Sequence, residues 1–281
     1  MDLPRAIEHI RPSVYQVRIN LADSPLNTAV LGTAFLVSMD GWLVTAKHVT
    51  DGAAEFANVA PGSLHASFAV GNVDSPTMQI RASFVSVPVT VVATSDENDL
   101  ALLRTPQPIG EGVFMKLGNE GVGIEPGSAV LSIERPKEGE SIAISGYPLN
   151  EAAMVTTAGS VASSWALDAP PAIGKKMFDR YLGDLTANPG NSGGPVYRLS
   201  DGRVIGVCTA GKLTRVIGGE GNQAADLTIV VPAKYVADLL EGQGVQYQTA
   251  VSRKRSRSQS AGGTSRPVPK PRQNKRRRPK R

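Results

Sequence analysis

The sequence contains one cysteine, Cys208. That excludes an intrachain disulfide and any zinc site built on several thiolates. Aromatic residues fill only 5% of the 281 positions. No apolar run reaches the ~18 residues that a membrane-spanning helix needs. The opening segment, MDLPRAIEHIRPSV, carries Asp2, Glu8 and His9 and lacks the apolar stretch of a secretory signal. One thiol and no such leader lead to the expectation of a cytoplasmic or other reducing intracellular compartment. Acidic residues are missing from the end of the chain: residues 252–281 hold 13 Lys/Arg and no Asp/Glu. The other 17 Lys/Arg face all 25 Asp/Glu, so residues 1–251 carry a net charge of −8 although the whole chain is at +5. An acidic body thus carries a basic tail.

The tail has one strongly apolar residue, Val268. It cannot bury enough surface to offset the entropy of ordering and reads as disordered. Its unopposed charge makes residues 252–281 a candidate contact for nucleic acid or another polyanion. The body, residues 1–250, is different. Hydrophobic residues are 41% of the chain and charged residues 20%, as in ordinary globular proteins. With 29 Gly, 20 Pro and few aromatics, it reads as a turn-rich all-β body. β-Branched runs recur at 13–21, 33–37, 42–45, 84–93 and 100–104, then at 129–133, 142–147, 154–161, 204–209 and 227–231. Asp40-Gly41 supplies a hairpin turn between two of them. One helix is expected from Pro232, in its first turn, to Gly242, with Val236, Leu239 and Leu240 on one packing face. Barrels or sandwiches fit such short strands. The Pro- and Gly-rich stretch 105–127 is the expected boundary between two halves.

Three segments carry chemistry. In Ala187-Asn-Pro-Gly-Asn-Ser-Gly-Gly-Pro-Val196, glycines allow a sharp turn that exposes the Ser192 hydroxyl. The same turn aims the N–H groups of Gly190 and Ser192 at one point, as an oxyanion hole requires. A serine alone is a weak nucleophile and needs a base held by a third group. Val44-Thr-Ala-Lys-His-Val49 places His48 directly after a strand, and neither His9 nor His65 has a comparable context. Glu97-Asn-Asp-Leu-Ala-Leu-Leu103 places Asp99 before an apolar strand, where a carboxylate can accept the imidazole Nδ1–H. Asp96 is its rival. Cys208 lies in an apolar run and reads as a small core residue. Phe178 and Tyr181 either line the cleft or fill the core.

On these motifs the chain resembles the trypsin/chymotrypsin-fold serine proteases, above all the HtrA (Deg) branch. The order His48, Asp99, Ser192 matches, as do T-A-x-H-V, N-D-L-A-L-L and N-P-G-N-S-G-G-P-V. The resemblance covers about residues 10–242. It implies two six-stranded β-barrels, about 10–106 and 126–242, a C-terminal helix, and a site in the cleft between them. It implies a serine endopeptidase acting on polypeptides through an acyl-enzyme, with no metal and no cofactor. It also puts the base of the S1 pocket at Thr186 and a facing wall at Thr209, Ala210 and Gly211. Thr186 carries no charge, so cleavage after small or medium aliphatic residues is expected. Three departures stand out. No cysteine flanks His48, and Asn191 replaces the usual aspartate before the serine, which implies activation by loop ordering in place of N-terminal clipping. The chain also has no room for a PDZ domain. Two other readings stay open at this point: an inactive binding module that keeps the fold, and a nucleic-acid-associated protein acting through its tail.

Overall fold

The computed structural model describes residues 1–21, 28–55, 59–74, 79–109, 126–151, 153–166, 179–215 and 222–249. The chain divides into two units, 1–250 and 251–281. The expected disordered tail and Phe178 lie outside the described residues, as does most of the expected boundary at 105–127.

A short helix α1 (Leu3–Ile10) opens the chain, capped by the Asp2 carboxylate, which accepts the Arg5 N–H at 3.1 Å. Strands β1 (Val14–Leu21), β2 (Thr28–Ser38) and β3 (Trp42–Ala46) follow, then helix α2 (Lys47–Asp51). Strands β4 (Val59–Asp74), β5 (Gln79–Pro88), β6 (Thr90–Ser95) and β7 (Leu100–Arg104) complete the first half. They form a seven-stranded sheet in the order β5-β4-β1-β2-β3-β7-β6. The second half contains β8 (Ser141–Gly146), β9 (Val155–Ala166), β10 (Arg180–Asp184), β11 (Pro195–Arg198), β12 (Val204–Arg215) and β13 (Asn222–Pro232). These six close into a barrel in the order β10-β13-β12-β11-β8-β9. Helix α3 (Ala233–Gly242) follows, with Pro232 as its N-cap, just outside the first turn in which the sequence places it.

The all-β class with a six-stranded second barrel and a closing helix is therefore observed. The first half holds one strand more than the six that the resemblance implies: β4 (Val59–Asp74) matches none of the five runs read there, and one of those runs divides in two. The apolar run 84–93 reads as one strand, but it breaks at Pro88. Residues up to Pro88 pair with β4, where Pro88 sits opposite His65. From Thr90 the chain pairs with β7 instead, opposite Arg104. Proline has no N–H to give a ladder, so it sits where the pairing changes hands. The expected strand at 129–133 is reduced to isolated bridges from Leu131 to Val204 and Thr249. Helix α1 was not anticipated. The hairpin at Asp40-Gly41 is present, with Gly41 at φ +94° donating to Ser38 O at 3.0 Å.

Strand alternation explains the apolar runs. On β1, β2, β3 and β7, the residues Tyr15, Val17, Ala34, Leu36, Leu43 and Leu103 pack inside the first sheet. Their neighbours Val14, Phe35, Val37, Val44, Leu100 and Leu102 face the other way, into a core shared with the second half. The barrel repeats the pattern: Ile142, Ile144, Val196 and Val230 point inward. Ala143, Tyr197 and Val231 join the shared core, with Val236 and Leu240 of α3. A strand buried on both faces needs apolar residues at every position, hence continuous runs in place of alternation.

Candidate functional site

β3 ends at Ala46 and the chain turns directly into α2, so His48 lies in the first turn of a helix. Its backbone N–H has no partner within the helix. That N–H donates to Asp99 Oδ1 at 2.9 Å, while His48 Nδ1 lies 2.7 Å from Asp99 Oδ2. One carboxylate thus fixes both the main chain and the ring of His48. A carboxylate oxygen accepts, so Nδ1 is the donor of this bond, and in the neutral ring that leaves the lone pair on Nε2. Asp99 closes a turn after β6 with φ +50°, a conformation that Asp tolerates better than most residues. Its carbonyl accepts the Lys47 N–H at 3.0 Å. The rival Asp96 turns elsewhere: its carboxylate lies 3.3 Å from Lys47 Nζ. From β10, the buried Arg180 reaches across to the same turn and donates to Glu97 O at 3.0 Å and Asn98 Oδ1 at 3.4 Å.

The segment before β11 brings Ser192 to the junction of the two halves. Its carbonyl accepts the N–H of Thr33 on β2 at 2.8 Å. Its hydroxyl donates to Thr209 O on β12 at 3.3 Å. Among the described residues, no hydrogen bond joins Ser192 to His48.

The amides of this loop show a pattern. Asn191 N–H donates to Asn188 O at 2.9 Å, Gly193 N–H to Cys208 O at 2.7 Å and Gly194 N–H to Asn191 O at 2.9 Å. The N–H groups of Gly190 and Ser192 make no such bond among the described residues. The carbonyls behind those two amides are both held: Pro189 O accepts from Leu149 N–H at 2.8 Å, and Asn191 O from Gly194 N–H. In a trans peptide the N–H points opposite to the C=O. Each anchored carbonyl therefore directs its N–H away from its own anchor. Gly190 has φ +101°, and a Cβ there would lie 2.4 Å from Tyr147 O, so only glycine fits. The Asn191 side chain is 2% exposed, and its Oδ1 has no hydrogen-bond partner among the described residues.

The expected S1 residues are spread around this loop. Thr186 is exposed, and its carbonyl accepts from Thr157 Oγ1 at 2.9 Å. Thr209 is buried. Ala210 and Gly211 pair along β12 with Ile229 and Thr228. Tyr181 belongs to the barrel interior, where burial pushes its hydroxyl up to about 12. Sequence reading missed Thr33, Leu149 and Arg180. Thr33 carried a weak signal, a lone hydroxyl within the mostly apolar run from Ala29 to Val37. Leu149 acts through its backbone, to which its residue type is no guide.

Comparison with known proteins places this arrangement in context. The family described as Trypsin-like peptidase domain matches residues 32–207. An uncharacterized protein of Sinorhizobium fredii, y4bJ, is 29% identical over 64% of this chain and 22% of its own length. A probable periplasmic serine endoprotease, DegP-like, of Marinomonas sp. is 29% identical over 63% of this chain and 29% of its own. The chain thus spans less than a third of these two relatives. The Rv3671c protease of M. tuberculosis in its active form superposes with a TM-score of 0.54 at 22% identity, covering 86% of each chain. At that identity the likeness is one of fold.

Cys208 lies beneath the Ser192 loop, its backbone paired to Gly193 and Gly194, and its side chain is 1% exposed. Burial alone pushes its thiol up to about 12. The thiolate is the reactive form. At pH 8 a group of pKa about 12 is ionised to only about one part in 10⁴. Iodoacetamide at pH 8 is expected to leave the native protein unmodified and to alkylate it fully in denaturant. Rapid alkylation of the native protein would mean that the thiol is at the surface.

Proposed function

This chain belongs to the trypsin-like peptidase family, and we propose that it acts as a serine endopeptidase with Ser192 as nucleophile, His48 as general base and Asp99 as the group that orients it. The observation that carries this reading is the amide pattern of the Ser192 loop. Two N–H groups, Gly190 and Ser192, are left without backbone partners while every carbonyl around them is anchored. Such preorganised donors stabilise the developing oxyanion of an acyl transfer. His48, with its proton held on Nδ1 by Asp99, presents a basic Nε2.

In the proposed reaction a substrate carbonyl enters beside the two amides, and the Ser192 hydroxyl leaves Thr209 O for His48 Nε2. His48 takes the proton as Ser192 Oγ bonds to the carbonyl carbon. The negative charge collects on the carbonyl oxygen before the two amides. Collapse expels the amine, which receives the proton from His48, and an acyl-enzyme remains. Water then repeats the sequence and frees Ser192. Ser192→Ala and His48→Ala are each expected to lose roughly 10⁶-fold in kcat on a peptide substrate. Asp99→Asn is expected to lose about 10⁴-fold, because an amide in its place favours the wrong imidazole tautomer. Labelling by a fluorophosphonate that depends on Ser192 tests the same point. An unlabelled wild-type protein would favour the binding-module reading, and loss of activity in Asp96→Asn with full activity in Asp99→Asn would move the third role to Asp96.

For specificity we propose cleavage after small or medium aliphatic residues such as Val, Ala or Leu. Thr186 offers no charge to compensate a buried Lys or Arg side chain. A peptide library cut mainly after Lys or Arg would overturn this. For the tail, the excess of 13 basic residues over 252–281 favours a second role, a tether to nucleic acid phosphates without sequence preference. If about six residues engage duplex DNA, log K should fall against log salt with a slope of about −5. Truncation after Ala250 is expected to keep peptide hydrolysis within about twofold and to abolish that binding. Binding unchanged by the truncation would place the polyanion site on the body.

A further inference from the structure

The supports of the two unpaired amides meet at one side chain. Thr33 lies on β2, in the other half of the fold from the Ser192 loop, and is fully buried. Its backbone N–H donates to Ser192 O at 2.8 Å. Its hydroxyl donates to Gly190 O at 2.7 Å and accepts the N–H of Tyr147 at 3.0 Å. Its own carbonyl accepts from Thr45 Oγ1 at 2.7 Å, which ties it to β3, the strand that leads into His48. Every polar atom of Thr33 is therefore used, and the hydroxyl is used twice.

We propose that the Thr33 hydroxyl is a positioning group for the oxyanion hole, an inference that rests on the endopeptidase reading above. Three consecutive peptide planes separate Pro189 from Ser192. The first has its carbonyl held by Leu149 N–H and the last by Gly194 N–H. The middle plane, Gly190–Asn191, is held at one edge by Asn188 O and at the other by the Thr33 hydroxyl. Because Gly190 lacks a Cβ, rotation on either side of it meets little steric resistance. The Thr33 bond supplies the missing restraint. The same oxygen takes the Tyr147 amide, two residues before Leu149, so it also sets the segment that holds the Pro189 carbonyl. Without the hydroxyl, both a carbonyl of the loop and an amide of its support lose their partner in a buried place. The planes are then free to turn, and a carbonyl can swing to where the Gly190 N–H now points.

The close fit supports this reading. A Cβ on Gly193 would lie 2.1 Å from Thr33 O, and one on Gly146 would lie 2.8 Å from Thr33 Oγ1. Glycines therefore let the loop and the end of β8 close around this residue.

The test compares Thr33→Val, which keeps the shape and removes the hydroxyl, with Thr33→Ser, which keeps the hydroxyl. Loss of a whole oxyanion-hole donor costs about 10²–10³ in kcat, so loosening two is expected to cost Thr33→Val roughly 10–100-fold in kcat. KM should stay within about threefold, since ground-state binding is not the target. Affinity for a peptide boronate, which places an anionic oxygen in the hole, should fall in parallel with kcat/KM, and Thr33→Ser should recover most of the loss. Kinetics are read well below the unfolding temperature of each variant, so that a change in stability alone does not register. A crystal structure of Thr33→Val supplies a readout independent of turnover: the Gly190 carbonyl is expected to have turned from its present direction. If Thr33→Val does not fold, Thr33→Ala is read in the same two ways. An unchanged loop, or wild-type kcat in the variant that lacks the hydroxyl, overturns the proposal. A wild-type protein that a fluorophosphonate does not label would sink the endopeptidase reading, and the crystal structure would still decide the role of Thr33 in the loop.

Discussion

The two halves of this protein meet through a core that belongs to both. Val14, Phe35, Val44, Leu100 and Leu102 from the first sheet pack with Ala143, Tyr197, Val204, Val207 and Val231 from the barrel. Each fully buried Val, Leu or Phe among them contributes about 1.5–3 kcal/mol relative to exposure. The site depends on that contact because no single half contains it. His48 and Asp99 sit at the ends of β3 and β7, and Ser192 precedes β11. A hydrophobic core fixes distance well but direction poorly, since apolar contact is not directional. Something else must register the groups within the cleft.

Buried hydrogen bonds across the junction supply that direction. Thr33 connects β2 to the Ser192 loop through two bonds and to the Tyr147 amide beyond β8 through a third. Arg180, 3% exposed on β10, holds the turn that carries Asp99 by the Glu97 carbonyl and the Asn98 side chain. Leaving a buried donor or acceptor unmade costs about 1–3 kcal/mol, more than the net gain from making it. Misregister of the halves would leave several such groups unmade at once. Polar contacts at this junction thus penalise wrong arrangements more than they stabilise the right one.

The sequence made the local features legible and hid the distant ones. The hairpin at Asp40-Gly41 and the α3 helix depend on neighbouring residues and could be read directly. The three motifs around His48, Asp99 and Ser192 could be found because each is short and chemically specific. The strand 84–93 misled because apolar content was read without weighing the missing N–H of Pro88. Helix α1 was overlooked because the segment was judged only as a leader; its Asp2 cap and the spacing of Ala6 and Ile10 were available. Thr33, Leu149 and Arg180 could not have been assigned. Their partners lie 157, 40 and 83 residues away, at Gly190, Pro189 and Glu97. Pairing at such separations is set by the closed fold, and no local pattern encodes it.

The position of the Ser192 hydroxyl follows from the same logic. In the structure it donates to Thr209 O and not to His48. The hydroxyl turns about a single side-chain bond, and the acceptor it takes is the Thr209 carbonyl. This does not count against the proposed reaction, because hydrogen bonds between catalytic groups are often long or misaligned until substrate binds. The choice does have a physical meaning. The backbone of the loop is prepared in advance, with its carbonyls anchored and two amides left over. His48 is prepared as well, held twice by one carboxylate. In the proposed reaction the hydroxyl is the group that has to turn, away from the Thr209 carbonyl. Preorganisation has been placed where reorganisation would be slow and costly, in the peptide planes, and adjustment is left to the group that moves most easily.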